Sequence, residues 1–217
     1  MRGPANAKPA TRGAERDGEG LRSIRLFSRM GSRVGGIVRS SCVSSSTRQA
    51  AFSTFTYSSG DADLERAKRD AWLLKRRLKN RYPPLEYLLV LEPHDKGDWH
   101  IHAVLLLPEG VAVSSAGQVI NDAWGRGRAC TVAVTDANGL ADYLSPFSPK
   151  KKARWKFYPP GVRTYFASAG MPRPTVVKGL SQAKAEEMIR SLGGQYVSSR
   201  PFGPPGEDVD KKVYYRI

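Results

Sequence analysis

Acidic residues are scarce in this 217-residue chain: 20 Asp and Glu stand against 35 Lys and Arg, a formal net charge of +15. The deficit is concentrated, with no acid in residues 21–50 and none between Asp142 and Glu186. Such an excess points to a polyanionic partner, because neutralising phosphates releases counterions and drives binding. Cysteine is limited to Cys42 and Cys130, which excludes a disulfide framework. No apolar run approaches the roughly 20 residues of a membrane span, so no membrane partner is expected and a cytoplasmic location is the default. No internal repeat is visible. Histidine is nearly absent as well, and all three copies lie between residues 94 and 102.

Those histidines belong to the stretch that organises the chain, Leu88 to Leu107. It reads as two apolar strands joined by the polar turn Asp95-Lys96-Gly97. Side chains alternate along a strand, so His100 and His102 share a face, about 6–7 Å apart and within reach of one cation. A three-residue loop closed by a left-handed glycine sets His94 opposite Asp98, Pro93 opposite Trp99 and Glu92 opposite His100. Glu92, His100 and His102 then form one cluster of two nitrogens and a carboxylate. A register slip of one residue would send Glu92 to the other face. The competing reading of His-Ile-His is a polar pair on a solvated face. Against it, the run Ala103–Leu107 is apolar on both faces, which marks a covered central strand where imidazoles need partners.

Before this hairpin, Ala51–Tyr57 alternates with aromatic and β-branched residues and reads as the first core strand. From Asp61 to Asn80 the pattern is helical, with Leu64, Ala67, Ala71, Leu74 and Leu78 on one stripe. Asp61 is the expected cap, and Lys75, Arg76, Arg77 and Lys79 crowd the last turn, where they complement the helix dipole. After the hairpin, Val113–Trp124 is a second helix with Val119, Ile120, Ala123 and Trp124 inward. Ala129–Val134 is a strand, and Asp136–Ser145 begins a short helix halted by Pro146 and Pro149. This order implies an α+β fold, an antiparallel sheet with helices packed on it.

Glu, then a polar turn with glycine, then His-hydrophobic-His eight residues after the Glu resembles the metal motif of HUH endonucleases. Among them the chain is most similar to the rolling-circle replication initiators of bacterial plasmids and phages. Ala51–Tyr57 resembles the Phe-x-Thr-Leu-Thr segment that opens that family, and Gly161–Pro174 resembles its Arg-aromatic-Ser-Arg-Gly-x-Pro-x-Pro segment, with Ala169 in place of the second arginine. The likeness covers about residues 51–175. It implies a ferredoxin-like palm with His-x-His on a central strand, and Mg²⁺ or Mn²⁺ held by Glu92, His100 and His102. It also implies site-specific nicking and joining of single-stranded DNA, with a hairpin at an origin as the expected substrate, to initiate rolling-circle replication. A host helicase and a second copy of the chain at termination are the further partners it implies.

In that family the nucleophile is a tyrosine in a Tyr-x-x-Lys pattern, on the helix after the fourth strand. By position this is Tyr143, which would leave a 5′-phosphotyrosine; the alternative is a core tyrosine that packs the helix onto the sheet. Pro146 stands where the family has lysine, with Lys150, Lys151 and Lys152 as substitutes. Phe147 stands where many relatives have a second tyrosine, which makes this a single-tyrosine enzyme. A relaxase or a single-tyrosine transposase uses the same core. A non-catalytic DNA-binding relative also stays open, suggested by Pro146 and Ala169.

The acid-free tail supplies the expected DNA path: Lys150, Lys151, Lys152, Arg154, Lys156 and Arg163, interleaved with Trp155, Phe157, Tyr158 and Tyr165. Cations for phosphates and aromatics for stacking make up a single-strand groove. The six arginines of residues 21–50 read as a basic arm along nucleic acid, with a short strand at Gly36–Val43 and a disordered tail before residue 20. The domain expectation is therefore an arm over 1–50, a catalytic domain over 51–178 and a C-terminal extension over 179–217. The extension reads as a helix over Ser181–Arg190 and two short strands.

Overall fold

The computed structural model describes residues 30–42, 47–146, 149–174, 181–191, 195–202 and 210–216. Helix α1 covers residues 30–42, followed by β1 (Ala50–Tyr57), α2 (Leu64–Arg81), β2 (Glu86–Pro93), β3 (Trp99–Leu106), α3 (Val113–Trp124), β4 (Gly127–Ala133) and α4 (Ala137–Tyr143). A 3₁₀ helix (Pro149–Phe157) and β5 (Tyr165–Ala167) complete the main body. Beyond them lie α5 (Gln182–Ser191) and the hairpin of β6 (Gln195–Phe202) and β7 (Asp210–Arg216). Strands β1 to β5 form one antiparallel sheet in the order β4-β1-β3-β2-β5. The run β1-α2-β2-β3-α3-β4 follows the ferredoxin-like βαββαβ pattern. As expected, β3 is the middle strand, and all eight of its residues are buried.

The alternation of side chains gives the sheet two differently used faces. On one, Phe55, Leu89, Leu91, Ile101 and Leu105 pack under α2 and α3 through Ala71, Leu74, Leu78, Ile120 and Trp124. On the other, Leu88, Val90, Val104 and Leu106 meet α1 and α4 through Val34, Ile37, Val38, Ala141 and Leu144. The even-numbered residues of β2 and β3, and with them Glu92, His100 and His102, belong to this second face.

Several boundaries differ from the sequence reading. Asp63, not Asp61, caps α2, its carboxylate accepting from the Arg66 amide at 2.7 Å. Ala62 is buried and its carbonyl accepts from Trp99 N at 2.7 Å, which holds the chain extended beyond Asp61. Helix α3 buries Val113, Ala116, Ile120 and Trp124, a stripe at 3.6 spacing, so Val119 and Ala123 fall to its flanks. Strand β4 forms one edge of the sheet and is mostly exposed.

The larger correction concerns the arm. Residues 36–42 are helical, not a strand, because Val34, Ile37, Val38 and Ser41 recur at helical spacing and reach the sheet's second face. Burial there outweighs the extended preference of the β-branched residues. Two of the arginines expected on nucleic acid are engaged inside the chain. Arg39 binds α4, and Arg48 donates to the carbonyls of Pro84, Leu106 and Leu107 at 2.6–2.8 Å. Arg33 is exposed. Arg22, Arg25 and Arg29, with the expected disordered tail, lie outside the described residues. Among the described residues no helix is long and apolar enough to cross a membrane.

Phe55 is fully buried and packs on Trp124 at 5.4 Å between ring centroids, joining β1 to α3. Phe55→Ala is expected to lower unfolding free energy by about 3–5 kcal/mol, read from the shift of the urea midpoint at unchanged slope. A loss below about 1 kcal/mol would mean that this layer is not the core.

Candidate metal centre and nucleophile

The hairpin turn has the geometry its sequence requires. Gly97 takes φ +99, in the left-handed region. His94 N donates to Asp98 O at 2.7 Å, and Gly97 N to His94 O at 3.0 Å. Pro93 then pairs with Trp99 and Glu92 with His100. One ligand atom from each of Glu92, His100 and His102 lies within 4.8 Å of the others, and all three residues are buried.

The contacts inside the cluster indicate what it can hold. His100 Nε2 and His102 Nε2 are 2.8 Å apart, and His102 Nε2 is 3.3 Å from Glu92 Oε2. Burial, reinforced by its histidine neighbours, pushes the His100 pKa down to about 2, and burial likewise lowers His102. Burial opposes ionisation of Glu92, but the His102 hydrogen bond and the Lys151 charge outweigh it and hold the carboxyl at about 2. The donor set is therefore deprotonated at neutral pH, as a metal requires. Two neutral imidazole nitrogens and a carboxylate converging on one point repel each other unless a proton or a cation lies among them. Thr54, paired with His102 across β1 and β3, places its hydroxyl 3.1 Å from His102 Nδ1. A proton there, donated to Thr54, turns the Nε2 lone pair towards the cluster. The residues fit a divalent ion.

Tyr143 is the last residue of α4. Its ring meets His102 edge-on at 5.3 Å and Phe52 at 5.8 Å, yet half of the residue stays exposed. It borders the cluster and is not a packed core tyrosine. Burial and then the Glu92 charge raise its pKa above the ordinary phenol value, with Arg154 acting the other way.

The 3₁₀ helix brings a second set of cations. Lys151 Nζ lies 2.8 Å from Glu92 Oε1 and 2.9 Å from Oε2, donates to the Tyr143 carbonyl, and stands 4.7 Å from the Tyr143 ring centroid. Arg154 Nη1 donates to Glu92 Oε1 at 2.6 Å and Nε to Asp95 Oδ1 at 2.7 Å. Phe157 anchors the segment over the turn, where a Cβ at Gly97 would come 2.8 Å from its ring. The lysine missing at Pro146 is thus matched by Lys151, arriving from a different element.

Of the residues expected along DNA, Lys151 and Arg154 face the cluster, while Lys152, Lys156 and Arg163 are exposed. Arg163 lies over the Tyr165 and Phe166 rings. The Lys150 side chain and Phe147 lie outside the described residues. The interleaved aromatics are core residues and not a stacking ladder: Tyr158 and Tyr165 are buried, and Trp155 and Phe157 pack against the core. Neither Thr54 nor α1 stands out in the sequence. The role of Thr54 is accessible from the β1–β3 register, but nothing in the spacing points to α1.

An open antiparallel sheet with a buried Glu-His-His group at its middle strand defines an α+β protein with a metal-binding potential. Residues 50–152, just under half of the chain, match the model of a family described as replication-associated proteins of the ORF2 type. Over this stretch the chain is similar to replication-associated proteins, consistent with a Rep protein. No curated protein and no solved structure matches the chain.

Metal-free protein titrated with Mn²⁺ is expected to bind one ion per chain, with affinity lost in His100→Ala and His102→Ala. Thr54→Val, which removes only the support of His102, should weaken binding by about 10–100-fold. Calorimetry distinguishes these from an unchanged affinity, which would place any ion elsewhere.

Proposed function

We propose that this protein is a metal-dependent enzyme that nicks and rejoins single-stranded DNA to initiate rolling-circle replication of a plasmid, phage or integrated element. The observation that carries the reading is Tyr143, a half-exposed phenol 5.3 Å from the imidazole of His102 in the buried Glu92–His100–His102 group. The match to a replication-associated family supports it independently.

A divalent ion held by Glu92, His100 and His102 would neutralise phosphoryl charge and orient the phosphate for in-line attack. The phenol remains protonated until it reacts, and Lys151 is the chain's own counter-charge for the phenolate that develops. Tyr143 Oη forms a bond to phosphorus as the P–O3′ bond breaks. The phenol gives up its proton and the departing 3′ oxygen gains one, leaving a 5′-phosphotyrosine and a free 3′-hydroxyl. Joining is the reverse, with a 3′-hydroxyl attacking the phosphotyrosine. Positioning and charge neutralisation carry most of the rate in phosphoryl transfer, so the scaffold needs no further nucleophile.

A second reading has one observation in its favour. Glu92 is already neutralised by Lys151 and Arg154, as it would be in a DNA-binding relative that has given up the metal. The two separate in one gel. An origin oligonucleotide with Mn²⁺ should yield a covalent adduct with wild type and none in EDTA or with Tyr143→Phe. Mass spectrometry should place one adduct per chain on Tyr143, and an adduct on any other tyrosine would defeat the assignment.

Lys152 and Lys156 are the exposed cations of the 3₁₀ helix. Reversing both to Glu should weaken oligonucleotide binding and flatten the salt dependence by about 0.7 in slope for each phosphate that is no longer neutralised. An unchanged slope would route the strand elsewhere.

A further inference from the structure

Helix α4 has seven residues, too few to hold a fixed position by its own hydrogen bonds. What it packs on therefore decides where the Tyr143 ring sits. Arg39 of α1, 6% exposed, donates through Nε to Asn138 Oδ1 at 2.8 Å and through Nη2 to Asp142 Oδ1 at 3.2 Å. Asn138 and Asp142 are one turn apart on α4, and Asp142 immediately precedes Tyr143. A rigid bidentate guanidinium across one helical turn fixes rotation about the helix axis as well as distance. Glycines let the two helices approach: a Cβ at Gly31 would lie 2.7 Å from Ser145 Oγ, and one at Gly35 would lie 3.6 Å from Ala141 Cβ. Val34, Ile37 and Val38 close the contact against Ala141 and Leu144. All of α1 lies outside the family match over residues 50–152.

We propose that Arg39 is a positioning residue for the nucleophile: its grip on Asn138 and Asp142 holds α4 in the orientation that carries Tyr143 to the Glu92–His100–His102 group. The helix over residues 30–42 is then part of the catalytic unit, not an arm attached to it. The inference rests on the nucleophile reading of Tyr143. Arg39 acts only through α4, so it should affect attack and not strand binding or metal affinity.

The test uses the full chain with Arg39→Met and Arg39→Lys, measuring single-turnover adduct formation, oligonucleotide affinity and Mn²⁺ affinity. Arg39→Met is expected to slow adduct formation by about 100-fold, the scale of a 1 Å misplacement. Both affinities should stay within about threefold, a split that general destabilisation would not produce. Arg39→Lys should recover part of the rate, since it keeps the charge facing Asp142 but not the fork. The pair Asn138→Ala and Asp142→Ala should reproduce the loss, and adding Arg39→Met to it should cost little more, because the three act as one unit. A wild-type rate in Arg39→Met, additive losses, or a parallel fall in both affinities would overturn the proposal. If Arg39→Met fails to fold, the α4 pair carries the same test. If wild type forms no adduct at Tyr143, the nucleophile reading fails. Hydrogen exchange at Leu140 and Leu144 then judges the clamp alone, with faster exchange in Arg39→Met supporting it and unchanged exchange refuting it.

Discussion

A carboxylate buried in the middle of a sheet has to be neutralised, and the arrangement around Glu92 follows from that requirement. Glu92 is 2% exposed and meets Lys151, Arg154 and His102. Lys151 and Arg154 come from a 3₁₀ helix 59 and 62 residues further on, so satisfying this one group draws that helix across the hairpin end. Phe157 then lands on the glycine turn, and the Lys151 ammonium comes to rest against the Tyr143 ring. The same carboxylate is the only anionic member of the Glu-His-His group. A divalent ion and the two side-chain cations therefore compete for it or share it. Removing Glu92 would leave buried positive charge without a partner, which is costly whether or not a metal binds.

The sheet separates structural work from chemical work. One face is sealed by α2 and α3 over an apolar layer that contains Phe55, Ile101 and Trp124. The other carries the polar cluster and is covered by α1, α4 and the 3₁₀ helix, whose contacts include buried charges such as Arg39 and Lys151. An apolar back layer holds the central strand straight without demanding polar partners, which frees the other face for groups that do. The edge strand β4 borders this second face and leaves it open to solvent on one side.

How much of this is legible in the sequence depends on the range of the interactions. The hairpin register follows from three turn residues and a period of two, so the pairing of Glu92 with His100 is readable in advance. Helices α2 and α3 are readable from their stripes, and the fold class follows from element order. Tyr143 is placed by resemblance, not by periodicity. Helix α1 reads wrongly as a strand because its glycines and β-branched residues favour extended chain locally, and only the distant partners Ala141, Leu144 and Asp142 make it a helix. The roles of Lys151 and Arg154 are hidden for the same reason. In sequence they are cations in a basic run, and only the fold sets them against a buried carboxylate 59 and 62 residues earlier. Strand β5 escapes notice because three residues carry too little pattern to register.

The central claim is that Glu92, His100 and His102 hold a divalent ion beside Tyr143, and diffraction from manganese-soaked crystals tests it most directly. The account predicts an anomalous peak in coordinating contact with His100 Nε2, His102 Nε2 and a Glu92 oxygen, with Lys151 or Arg154 withdrawn from that oxygen. A crystal saturated with manganese that shows no peak there, and leaves both cations on Glu92, would contradict it.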